Sequence, residues 1–155
     1  MATQSEEELS TLVRQLGLDR QNTAVLGRLV THGGLGHAAE EPGGGMRARV
    51  RIPLDELVWE PSVLVMPHGG DIEIEVTNDD QNTHGALFPS NGDSQWLWMP
   101  VYSRGTVSLS LDGPGYYWFS SPIGNDEGRG MEGVIAVLGE VPPGAFLDRP
   151  DQPQP

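Results

Sequence analysis

The stretch GYYWFSSPIGNDEGRGMEGVIAV, residues 115–137, decides how the rest of the chain is read. An aromatic run ends in two serines. A Pro122 turn then opens a polar, glycine-rich loop, and a second apolar run closes it. Short apolar runs bounded by Gly and Pro read as strands and not as helices. The loop between them carries Met131 within Gly-Arg-Gly-Met-Glu-Gly and has no cysteine or histidine.

Working outward, the same grammar recurs. MRARVRIPL (46–54) alternates apolar and charged residues, as a half-buried strand does, and DIEIEVTNDD (71–80) turns Ile72, Ile74 and Val76 inward and acids outward. VWEPSVLVMPHGG, WLWMPVY and TVSLSLD complete the set. These segments predict seven or eight short strands, the pattern of a β-sandwich or barrel. Gly 21 and Pro 13 in 155 residues agree with many turns.

The N-terminal third differs. Ser5-Glu6-Glu7-Glu8 reads as a capping box, with Ser5 as N-cap. Leu9, Leu12, Val13 and Leu16 then form one helical stripe that Gly17 stops. A second helix is predicted from about Asn22 to Thr31. The expected organisation is a helical arm over 1–32, a flexible Gly-rich linker over 33–46, a β domain over 47–140, and a Pro-rich tail over 141–155. Packing of the arm on its own domain and pairing with a second copy are both open.

Charge and composition narrow the function classes. The net charge of -13 disfavours nucleic acid and anionic membranes as partners, while a cationic protein remains compatible. No run is apolar enough to span a membrane. The N-terminus has neither the basic nor the apolar region of a secretory signal, so the expectation is cytoplasmic. With no cysteine, the chain can form no disulfide, blue-copper site or c-type haem. It also has no nucleophile elbow, phosphate loop or dinucleotide-binding turn.

Three segments in order resemble a cupredoxin. They are VLVMPHGGDIEIEVTNDD (63–80), NTHGALF (82–88) and YYWFSSPIGNDEGRGMEGVIAV (116–137), covering roughly residues 48–138. The resemblance implies an all-β, cupredoxin-like Greek-key β-sandwich, here with a short N-terminal helical hairpin arm. It puts His84 at the first histidine ligand and Met131 at the axial methionine. Ser120 falls at the cysteine position, and Ile123 or Asn125 at the second histidine.

One imidazole and one thioether suit a cofactor that brings its other donors. The leading expectation is therefore a redox or electron-transfer protein holding a non-covalent b-type haem through His84 and Met131. Trp96, Trp98 and Trp118 would line its rim, with Leu87, Met99 and Tyr102 nearby. A non-blue copper or iron, held by His84 with Asp126, Glu127 or a histidine of the arm, is the alternative cofactor. The alternative function is a metal-free binding module whose partner surface is the arm and the tryptophan face. An enzyme, if this is one, would be an oxidoreductase at the metal or haem centre. The partner is a redox protein or small molecule, and self-association through the arm is open. His68 is expected at the surface, His32 and His37 on the exposed linker, and Asp126, Glu127 and Arg129 in a solvated loop.

Overall fold

The computed structural model describes residues 4–140. Helix α1 (Gln4–Leu16) and helix α2 (Arg20–Gly33) are followed by ten strands: β1 (Leu35–His37), β2 (Ala39–Glu40), β3 (Met46–Ile52), β4 (Val63–Met66), β5 (Gly70–Asn78), β6 (His84–Ser90), β7 (Asp93–Met99), β8 (Arg104–Leu111), β9 (Gly115–Ser120) and β10 (Glu132–Val137). One sheet has the order β1-β4-β10-β9-β6-β7 and the other β2-β3-β5-β8.

Period-two patterning makes the strands. β3 alternates buried and exposed along its whole length, with Met46, Ala48, Val50 and Ile52 inward. It runs parallel to β5, so Arg47 lies opposite Glu73 and Arg49 opposite Glu75. These exposed pairs suit the register and add little stability. Between the sheets, Trp59, Phe88 and Phe119 form the aromatic centre, with the Phe88 and Phe119 rings stacked at 5.1 Å. Gly133 faces Phe119 across the β9–β10 ladder, and a Cβ there would come within 2.3 Å of that ring.

The arm packs on its own domain. Leu12 of α1 and Leu26 of α2 are buried against Val63 and Val65 of β4 and Val134 and Ala136 of β10. Each such leucine contributes about 1.5–3 kcal/mol. Gly17 takes φ +64 after α1, as its helix-stop role requires. Asp19 caps α2 by accepting from the Asn22 amide at 2.7 Å. Helix α1 is already formed at Gln4, so Ser5 lies within it and not ahead of it. The capping contact of its side chain, like the tail at 141–155, falls outside the described residues.

Residues 33–46, read as a flexible linker, are partly strand. β1 pairs parallel with β4 and β2 antiparallel with β3. The helices cover the outer face of the six-stranded sheet from β1 to β9. Its remaining strands, β6 and β7, stay uncovered on that face.

Candidate functional site

One end of the sandwich gathers the end of β5, the start of β6, the end of β9 and the loop into β10. His84 opens β6 there and is 1 % exposed. Both ring nitrogens face carboxylates: Nε2 is 2.7 Å from Oδ2 of Asp80, and Nδ1 is 2.7 Å from Oδ2 of Asp126. A carboxylate only accepts, so the arrangement suits a ring that donates from both nitrogens.

Asp80 is itself held on all sides. The buried Asn78 at the end of β5 accepts from the Asp80 amide at 2.9 Å, and its side-chain NH2 shares its two protons among the carbonyls of Asn82, Met99 and Pro100. Oδ1 of Asp80 accepts from the amides of Gln81 (2.9 Å) and Asp55 (3.1 Å). Burial alone would push its carboxyl up. The bonds from His84 and from the two amides outweigh burial and hold it below the usual carboxylate range.

Asp126 belongs to the β9–β10 loop. Its Oδ2 also accepts from Ser121 Oγ at 2.7 Å, and Ser121 Oγ accepts from the Gly85 amide at 3.2 Å. The Asp126 carbonyl takes the Met131 amide at 3.0 Å, and the Ser121 amide donates to the Met131 carbonyl at 3.1 Å. The loop is thus folded onto the histidine. A turn of 3-10 helix, Glu127–Arg129, and Gly130 at φ +113 bring it back to β10.

The sequence-predicted residues are distributed differently from expectation. Met131 is fully buried in the inner core, and its carbonyl accepts from the Trp59 indole at 3.2 Å. Ser120 turns outward and donates to Glu127 at 2.6 Å, so the serine at the histidine is Ser121. Trp96 and Trp98 are on the outer sheet face, 44 % and 57 % exposed, with the Trp96 ring over Gly85. They do not rim His84, and Trp118 faces outward beneath the arm. Asp126, expected in a solvated loop, is drawn into the site, its side chain 13 % exposed. His68 is part-exposed as expected; its bonds to the Gly69 carbonyl and to Glu40 raise its pKa. His37 lies on β1 beside Glu8, and His32 is in the last turn of α2.

The chain matches one family, described as "MSMEG_3727_PQQ-assoc, PQQ-associated", over residues 3–155. The chain belongs to the PQQ-associated family. No curated protein matches it by sequence. The PQQ-associated chain is similar in fold to auracyanin from Roseiflexus castenholzii, with a TM-score of 0.54 at 13 % identity, over 60 % of this chain and 97 % of that one. It is similar to auracyanin A, a "blue" copper protein from Chloroflexus aurantiacus, with a TM-score of 0.53 at 12 % identity, over 61 % and 99 %. The metal-binding domain of the Streptococcus pneumoniae D39 Cu(I)-exporting ATPase CopA gives 0.54 at 17 %, over 68 % and 96 %. At these identities the likeness is one of fold: the PQQ-associated protein is a cupredoxin-like sandwich with a helical arm.

The donor set does not fit the copper that such a fold implies. A blue-copper centre requires a thiolate, and the chain has none. The two carboxylates at His84 occupy different ring nitrogens, so a metal on either nitrogen would displace a hydrogen bond and gain one carboxylate. Among the described residues no three His, Cys, Asp or Glu side chains are arranged to hold a metal. A haem fits no better, because His84 is 1 % and Met131 0 % exposed and neither offers a face to a planar ring.

The sequence reading missed Asp80, Ser121 and Asn78. A signal for Asp80 existed: it stands four residues before His84, in the turn that follows β5 and returns the chain to that histidine.

Proposed function

We propose that this PQQ-associated protein is a cupredoxin-like binding module without a copper centre, serving PQQ-linked redox chemistry as an accessory to it. In this reading Asp80, His84 and Asp126 form a structural anchor. The observation that carries it is the pair of 2.7 Å contacts that engage both nitrogens of His84. A ligand histidine keeps one nitrogen for the metal and uses the other for orientation. The family description supplies the link to PQQ. The sandwich supplies a rigid scaffold, and the triad fixes the loop that in a metal-binding relative would carry ligands.

The test is metal analysis of full-length protein from copper-supplemented cells, with melting curves and absorption spectra before and after Cu(I) and hemin. The reading expects metal well below one equivalent, no Soret band and unchanged melting. Stoichiometric copper, or a Soret band lost in Met131→Ala, would overturn it.

A further inference from the structure

One cleft is walled by the arm on one side and by the anchored loop on the other. Its volume is about 450 Å³. Val25, Arg28, Leu29 and His32 line it from α2 at helical spacing, so one stripe of the helix faces inward. Arg129 and Gly130 line it from the loop, and Trp118 of β9 contributes to the floor.

Both walls are fixed. A Cβ on Gly33 would fall 2.0 Å from the Trp59 carbonyl, so the end of α2 lies against the sandwich backbone. Ser62 Oγ donates to the Leu29 carbonyl there, with the Gly34 carbonyl 3.3 Å away. The opposite wall is tied down through Asp126, His84 and the Met131 amide.

The charges are unusual for this chain. It has 9 basic residues against 22 acidic ones, yet two of its arginines and a histidine meet at this cleft. Among the described residues neither Arg28 nor Arg129 has an ion-pair partner, which they share with Arg14, Arg20 and Arg104; Arg47, Arg49 and Arg51 on the far sheet are paired with acids. The acids present are Glu56 and Glu132. Burial, and then Glu127, raise the Glu132 carboxyl above its usual range.

We propose that this cleft binds a planar aromatic carboxylate, the chemical class of PQQ itself. The ligand's rings lie against Trp118 and the apolar side of α2, and its carboxylates meet Arg28 and Arg129 from opposite walls. The proposal rests on the PQQ-linked reading above. Guanidinium suits the task because its planar fork pairs with a carboxylate through two hydrogen bonds. The net charge of -13 works against any polyanion at long range, so recognition depends on these local groups.

The experiment titrates PQQ, and separately a quinoline dicarboxylate lacking the quinone, into the full-length protein. Quenching of tryptophan fluorescence and calorimetry report binding. Saturable binding of both probes is expected, at least tenfold weaker in Arg28→Gln/Arg129→Gln and unchanged in Trp96→Ala. Melting curves confirm that the double variant folds, and Arg129→Gln alone, on the exposed loop, serves if it does not. No saturable binding by the parent protein, or equal binding by the arginine variants, overturns the proposal. The metal analysis fails or succeeds separately: a copper-loaded protein that binds PQQ at the arginines sinks only the metal-free reading. A metal-free protein that ignores both probes sinks only the cleft.

Discussion

Replacing His84 with alanine should cost the domain about 3–5 kcal/mol, the range found when one partner of a buried charged pair is removed. The structure favours the lower half. Asp80, with its side chain 1 % exposed, would lose its strongest partner and stay buried, retaining only its amide donors. Asp126 is 13 % exposed and keeps the Ser121 hydroxyl, so it can recover part of its hydration. We therefore expect about 3 kcal/mol. For a domain of this length each kcal/mol moves the melting temperature by about 2–4 °C, so the shift is on the order of 10 °C. Urea denaturation of wild type, His84→Ala, Asp80→Ala and the double variant, followed by circular dichroism, gives both the loss and the coupling. If His84 were a ligand in a metal-free protein, its removal would cost little and would not couple to Asp80. A loss below about 1 kcal/mol with no coupling would refute the anchor.

Three further outcomes follow from the same structure. Because the Asp80 carboxyl is held below its ordinary value, its contribution is fully present above the unfolded value of 3.8. It is lost as pH falls through the lower folded value. Asp80→Asn should thus flatten the acid limb of a stability–pH curve below pH 4, and a limb of unchanged steepness would count against the assignment. Gly133→Ala drives a methyl into the Phe119 ring, which Trp59 and Phe88 hold in place, and should destabilise by about 1–3 kcal/mol in denaturant titrations. Gly85→Ala meets first the exposed Trp96 ring, 2.2 Å away, so it should shift tryptophan emission while costing less than Gly133→Ala.

The sandwich was legible because alternation is a backbone period, and β3 and β5 show it without interruption. The helical arm was legible from its leucine stripe and Gly17. The stretch at 33–46 was not, because glycine content reports chain freedom and not pairing. β1 gains its order from the backbone of β4, a partner far along the chain. His84 was found from its place between strands, but its carboxylate partners were not, because they are acids in loops. A loop acid carries no periodic signal, and Asp126 looks solvated until the chain folds it onto the ring. The tryptophans at 96 and 98 were correctly placed on one face, but only the sheet order reveals that it is the outer one.

The most direct test of the anchor is the ring of His84 itself, observed by nitrogen–proton NMR on protein with labelled histidine. Both ring N–H protons should appear downfield and exchange slowly with water, as hydrogen bonds from a buried ring to two carboxylates require. They should persist unchanged after one equivalent of Cu(I). A ring with only one N–H, or one that loses a proton as the metal is added, would contradict the account and return His84 to the role of ligand.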